Sequence, residues 1–380
     1  MLDETRLDAP QALAAADPRQ LLRGTAEAGA RVRTAARAAQ EAGLGELKPD
    51  GRPRALFIAG LGPATYCIAD LLGSLTGGAC PVTAVEPTGS DYNPGDLRWA
   101  LPGWAGPLDL LLVVTGYGRE PGLEALVEQA YRRGCSVAAV APRSTTISQT
   151  VADLRGLPIP LIPVGSDLGS QEGDYEPPGS LWALLTPLLQ LTDRLGLIEA
   201  PPAALDKVAD RLDAVAERCG PAIETYTNPA KTLAVELAES LPLLWADGPV
   251  AAAAGRHFAT ALGAIAGRPA LAAPLPHALQ THAALLAGEF GAPAGDDPDD
   301  FFRDRVEEPE SLRARVVLLQ QGELEGQSPS RAARRLINHR GTPVSALEPA
   351  EGTPLEAAAE LIATGDFTAV YLALASSQQH

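Results

Sequence analysis

The sequence predicts an α/β protein built from two doubly wound parallel-sheet units, each three layers deep in the order αβα. Three observations predict it. Apolar runs without alternation, such as Arg54–Ala59 (RALFIA) and Leu108–Val114 (LDLLLVV), read as strands buried on both faces. Each is followed by a glycine turn and a helical pattern, which is the grammar of βαβ units. That grammar then occurs a second time.

In order along the chain, residues 8–44 read as one or two amphipathic helices and Pro49–Pro53 as a linker. The first strand is followed by the turn Gly60-Leu61-Gly62-Pro63, a helix over Ala64–Leu75 stopped by Gly77-Gly78, and a strand over Val82–Glu86. Leu108–Val114 leads through Thr115-Gly116-Tyr117-Gly118 to a helix over Glu120–Arg133, then a strand at Ser136–Val140 and another at Ile159–Val164. The second half repeats these signals. Ala314–Gly341 parallels Asp109–Gly134, His339–Pro349 parallels Arg132–Pro142, and Leu241–Pro276 parallels Leu56–Pro87, with Gly248-Pro249 standing where Gly62-Pro63 stands. A helical segment 1–49, a first α/β domain 50–200 and a second 201–380 follow, with the boundary inside the segment from Asp193 to Tyr226. Residues 291–300 (GAPAGDDPDD) read as an exposed acidic loop.

Composition narrows the function classes. The 380 residues carry 30 Lys+Arg against 47 Asp+Glu, a net charge of −17, which disfavours nucleic acid and anionic membrane surfaces as partners. The four cysteines form no CxxC pair and lie in apolar contexts, as buried reduced thiols do. The first twenty residues lack a charged-then-apolar leader pattern, and the Ala-rich stretch Ala251–Leu286 is broken by charges and prolines. A cytoplasmic protein without a membrane span is expected. The five histidines form neither HExxH nor a Cys/His cluster, so neither a metal nor another cofactor is expected.

In open parallel sheets, ligands sit beyond the carboxyl ends of the strands. The candidate binding residues are therefore Gly60, Gly62 and Thr65 in the first loop. In the second they are Thr115, Gly116, Tyr117, Gly118, Arg119 and Glu120, where backbone amides entering a helix can hold an anion and Arg119 can add a bidentate clamp. A bare structural turn is the alternative at both loops. The first loop lacks a complete GxGxxG, there is no Walker lysine, and there is no GxSxG, so nucleotide-loop and nucleophile-elbow chemistry are not expected. His277 and His282 are candidate acid/base groups, with a helix-surface role as the alternative.

Several segments carry a family resemblance: Gly60-Leu61-Gly62, Asp91-Tyr92-Asn93-Pro94, Leu111–Gly118, Arg133-Gly134, Asn228-Pro229-Ala230-Lys231-Thr232-Leu233-Ala234 and Gly365–Ala373. Together they resemble the double sugar isomerase (SIS) domain proteins, with flavodoxin-like subdomains. More narrowly they resemble the bifunctional phosphoglucose/phosphomannose isomerase family, in a divergent actinobacterial-type branch. The resemblance implies aldose–ketose isomerisation of a sugar phosphate through a cis-enediol, with a glutamate base, a ring-opening histidine, a Ser/Thr-rich phosphate loop, an arginine and a C-terminal lysine. It also implies a homodimer. This sequence departs at those places. The base position falls on Ala264, the ring-opening position on Gln280 and the arginine near Gly179-Ser180, leaving Ser180 as a binding candidate. The phosphate loop has become Thr115–Pro121, and His380 leaves the lysine without a counterpart. The resemblance thus implies a carbohydrate-derivative binding protein with degraded catalytic residues, a pseudoenzyme. One alternative is an active glucose-6-phosphate/mannose-6-phosphate isomerase with relocated groups, for which His277, His282, Glu120 and Glu289 are the candidates. The other is a non-catalytic dimeric scaffold.

Overall fold

The computed structural model describes residues 2–49, 51–89, 94–163, 178–288, 290–291, 312–322 and 328–376. The chain forms two compact units, Asp17–Glu217 and the combination of Met1–Ala16 with Arg218–His380. The stretch 1–49 is therefore shared: α1 (Glu4–Leu7) and α2 (Pro10–Ala16) belong to one unit, α3 (Leu21–Ala26) and α4 (Ala28–Glu41) to the other. Over residues 8–44 three helices, α2, α3 and α4, stand where one or two were expected, because local chemistry interrupts the pattern. Pro10 opens α2, and the Asp17 carboxylate accepts the Leu21 and Leu22 amides at 2.8 and 2.9 Å, starting a new helix.

The Asp17–Glu217 unit is built on a five-stranded parallel sheet. Its elements run β1 (Leu56–Gly60), α5 (Pro63–Leu75), β2 (Val82–Val85), β3 (Leu110–Val114), α6 (Pro121–Arg132), β4 (Ser136–Pro142), α7 (Thr146–Asp153), β5 (Leu157–Leu161), α8 (Ser180–Arg194) and α9 (Pro202–Arg218). The strand order is β2-β1-β3-β4-β5, with Leu56 beside Leu110 and Leu110 beside Ser136. Phe57, Leu111 and Val113 face a core with Leu123, Leu126 and Val127 of α6 and Trp99. The opposite-facing Leu56, Ile58 and Leu112 are equally buried, which is why these strands carry no alternation in sequence. The last strand lies two residues earlier than expected, and its Pro158 and Pro160 occupy a sheet edge, where missing N–H donors cost no ladder bonds.

The other unit continues with α10 (Pro229–Leu237), β6 (Ser240–Asp247), α11 (Pro249–Ala266), β7 (Leu271–Pro274), α12 (Ala278–Thr281), α13 (Ala283–Ala287), β8 (Arg313–Gln320), α14 (Pro329–His339), β9 (Val344–Leu347) and α15 (Pro354–Ala375). Its sheet is parallel, in the order β7-β6-β8-β9. That is the order of the first four strands of the other sheet, so the duplication read from sequence appears as two copies of one topology. The turn conformations agree as well: Gly62 has φ +93° and Gly248 +105°, a region an L side chain rarely adopts, and each is followed by proline at a helix start.

Helix α15 is long and apolar enough to cross a membrane by length and composition, but 94% of that window is buried inside the protein. Its acidic groups have partners: Glu360 meets Arg218 at 2.8 Å and Asp366 meets His257 at 2.8 Å. Gly365 lets α15 approach α11, since a Cβ there would lie 3.0 Å from the Phe258 ring. All four cysteines are buried and free, and burial pushes the Cys219 thiol up to about 11.

Candidate functional site

The topology fixes where to look. In each parallel sheet the order in which strands are added reverses between the first and third strands, opening a crevice beyond their carboxyl ends, β1/β3 in one unit and β6/β8 in the other.

At β1, Gly60 is required by close packing. A Cβ there would strike the Val114 carbonyl and lie 2.6 Å from Thr65 Oγ1. Gly62 caps α5 without a side chain, so the positive end of a 13-residue helix is left open to the crevice. Thr65, in the first turn of α5, is 2% exposed, and its Oγ1 has no hydrogen-bond partner among the described residues. A buried hydroxyl without a partner is costly, and such groups are rare in the absence of a role.

The second loop is organised differently. Thr115 Oγ1 donates to Glu120 Oε1 at 2.6 Å and accepts the amides of Tyr117 and Gly118 at 3.0 and 2.9 Å. The Arg119 amide donates to Glu120 Oε2 at 2.8 Å. Glu120 is 5% exposed, so its carboxylate lies inside the loop. Gly118, with φ +71°, packs on Thr145, and its carbonyl accepts the Ile147 amide at 3.2 Å. The Tyr117, Gly118 and Arg119 amides, expected to cradle an external anion, are therefore taken up by the loop's own Thr115 and Glu120. Arg119 itself extends into solvent. Ser180 opens α8 beside Gly179. Leu191 and Leu195, at the far end of that helix, line the amino end of the sheet.

The β6/β8 crevice holds a cluster that the sequence reading missed. The Ser328 and Ser330 hydroxyls donate to Asp247 Oδ2 at 2.6 and 2.5 Å, and Gln321 Oε1 accepts the Val250 amide at 3.0 Å. Asp247 is buried. Aligning Gly62-Pro63 with Gly248-Pro249 puts Asp247 opposite Leu61 and Ala251 opposite Thr65. A carboxylate directly before that turn, in a repeat whose first copy has leucine there, was the available signal.

The remaining candidates are spread over the other unit. Ala264 is exposed in the last turn of α11 and Gln280 is exposed in α12; neither side chain can take a proton. His277 is exposed, but His282 is buried, and its Nδ1 accepts the Trp245 indole N–H at 2.9 Å. Burial, with the charge of His277 adding to it, holds the His282 imidazole below its usual range. Glu289, residues 292–300 and Asp91-Tyr92-Asn93 lie outside the described residues. Among the described residues no group of three or more His, Cys, Asp or Glu is placed to hold a metal.

The motif Asn228–Ala234 builds structure. Asn228 accepts the Ala230 and Lys231 amides at 3.1 and 3.0 Å. Lys231 is fully buried, and its ammonium donates to the carbonyls of Leu7, Pro221 and Ile223 at 2.5, 2.9 and 2.7 Å, pinning α1 to α10. Burial pulls its pKa down, with Asp8 opposing.

Residues 226–378 match the model of the bacterial phospho-glucose isomerase C-terminal SIS domain, a span that includes both Asn228–Ala234 and Gly365–Ala373. No sequence among the curated proteins matches the chain. Solved structures share the fold. A Silicibacter pomeroyi protein assigned as a phosphosugar isomerase has 15% identity and a TM-score of 0.58, covering 93% of this chain and 97% of that one. The tagatose-6-phosphate ketose/aldose isomerase of Escherichia coli has 14% identity and a TM-score of 0.54, covering 93% and 91%. The C-terminal domain of glucosamine-fructose-6-phosphate aminotransferase from Francisella tularensis has 11% identity and a TM-score of 0.54, covering 93% and 95%. This chain thus has the two-sheet SIS fold seen in sugar-phosphate isomerases, and its sequence similarity to the bacterial phosphoglucose isomerases is carried by residues 226–378.

Proposed function

We propose that this protein binds a sugar phosphate, or a closely related anionic carbohydrate, at the β1/β3 crevice and does not isomerise it. Thr65 carries the reading. Its buried hydroxyl has no partner among the described residues and stands in the first turn of a helix whose amino end has no side-chain cap. A phosphate there gains the helix end, and it gives the hydroxyl an acceptor. Loss of turnover rests on the resemblance: the positions it assigns to base and ring opener hold Ala264 and Gln280, and removing one such group typically costs ~10²–10⁴-fold in rate. The narrower placement among bifunctional phosphoglucose/phosphomannose isomerases, a homodimer and a cytoplasmic setting belong to the same reading.

Calorimetric titration with glucose 6-phosphate, mannose 6-phosphate and fructose 6-phosphate tests it. The wild-type protein binds at least one. Thr65→Val weakens that binding about tenfold while leaving the melting temperature unchanged or slightly higher, since a partnerless hydroxyl is replaced by a methyl group of similar shape. A coupled isomerase assay stays at the buffer rate. No heat at millimolar ligand overturns the binding claim.

Turnover abolished by Glu120→Gln would instead establish the second reading, an isomerase with a relocated base. The position of Glu120, the carboxylate fixed between Thr115 and the Arg119 amide, favours that alternative.

A further inference from the structure

A cavity of about 720 Å³ opens at the amino end of the five-stranded sheet, where β3, β4 and β5 begin. This is the end opposite the β1/β3 crevice, so the sugar-phosphate site does not account for it. Its volume lies within the range of cavities that enclose small organic ligands, ~300–1,000 Å³.

Two features of its lining point to the same chemistry. Lys48, Arg52 and Arg155 stand around it, and among the described residues none of the three forms an ion pair. The lining carboxylate, Asp109, does not neutralise them. It is fully covered and held by Arg54 through bonds of 3.0 and 2.6 Å. In a protein with a net charge of −17, three uncommitted cations around one concavity form a local field opposite in sign to the whole. The second feature is apolar. Leu108 is 68% exposed and Tyr131 is 55% exposed, both on this lining, so a ligand with an apolar or flat body would remove them from water.

We propose that this cavity is a second binding site, for an organic polyanion: an aromatic or apolar body of nucleotide dimensions bearing two or more negative charges. The cations take the acidic groups, and Tyr131 with Leu108 takes the body.

The test is titration of the full chain with ATP in the absence of divalent metal, alongside adenosine and pyrophosphate. ATP binds, and each fragment binds at least tenfold more weakly, because each engages only one part of the lining. The triple variant Lys48→Ala/Arg52→Ala/Arg155→Ala lowers ATP affinity at least tenfold. Its substitutions are exposed, so an unchanged circular-dichroism melt shows that folding is intact. Leu108→Ser/Tyr131→Ser weakens ATP without altering pyrophosphate binding, and raised salt weakens ATP in the wild-type protein more than in the triple variant. Thr65→Val leaves ATP affinity unchanged, which separates this site from the sugar-phosphate crevice. The proposal is overturned by absence of ATP binding at millimolar concentration, by retained affinity in the triple variant, by pyrophosphate binding as tightly as ATP, or by loss of ATP binding in Thr65→Val.

Discussion

At the end of β1 a threonine hydroxyl lies in the first turn of α5 without a partner among the described residues. At the end of β6 the corresponding residue is Ala251, and the neighbouring Val250 amide is already bonded to Gln321. The two crevices share strand order, glycine geometry and a proline at the helix start, yet among the described residues only the first has an unsatisfied polar group at its helix start. Each also contains a buried carboxylate, used differently. Glu120 accepts one hydroxyl and one amide from its own loop. Asp247 accepts two hydroxyls from the start of α14 and so ties the end of β6 to that helix. Duplication thus preserved the turns, while side-chain replacement decided how the polar groups at each crevice are satisfied.

The largest expected effect tests whether Asp247 is structural. Asp247→Ala leaves two buried or half-buried hydroxyls without an acceptor, at about 1–3 kcal/mol each when nothing replaces it. Urea unfolding is expected to show a loss of about 3 kcal/mol, and Ser330→Ala about 1 kcal/mol. A loss near zero for Asp247→Ala would mean that the serines rebond elsewhere, and that the second crevice is as open as the first.

A smaller effect tests whether Glu120 fills its loop as an internal anion. Glu120→Thr removes the carboxylate while keeping a residue able to cap α6, and it frees the Arg119 amide and the Thr115 hydroxyl. Glucose 6-phosphate affinity is expected to rise about tenfold, equivalent to ~1.4 kcal/mol. Asp247→Ser in the other copy gives no such gain, because Gln321 still covers the start of α11. Equal gains from both substitutions would erase the distinction between the crevices.

The sequence made the sheets legible and the sites only half so, for physical reasons. A strand buried on both faces, such as Leu110–Val114, must be apolar throughout, and Gly62 and Gly248 must be glycine to hold a positive φ. These requirements are local, so they show in the residues. Whether Thr65 is partnered depends on Gly60 and Val114, which meet it only after β1 and β3 pair. Thr115 and Glu120 were legible as a polar loop, but not as donors and acceptors that satisfy one another. Asp247 and Ser330 are 83 residues apart, and no spacing rule connects them. The motif Asn228–Ala234 lies in the span that matches a C-terminal SIS domain, yet it carries no chemistry of its own: Lys231 spends its three protons on backbone carbonyls.

The smallest expected effect concerns how the two cores fill the space beside their sheets. Position 59 of β1 is alanine, whereas the matching position of β6 is Trp245, whose indole N–H is satisfied by His282. The other core uses Trp99, whose Nε1 has no partner among the described residues. Only one of these solutions is sensitive to pH. The unfolded chain takes up a proton on His282 near pH 6.5, and the folded chain does so only at lower pH. As pH falls below about 6.5 the unfolded state binds more protons, so stability is lost toward acid until the folded value is passed. His282→Gln keeps an acceptor for the indole and removes the titration. The drop in melting temperature between pH 7.5 and 5.5 should then shrink by about 2–3 °C, the scale of ~1 kcal/mol in a unit of this size. Trp99→Phe should leave that drop unchanged, because no titrating group serves its indole. An undiminished drop in His282→Gln would place the acid sensitivity outside the Trp245–His282 pair and remove this difference between the two cores.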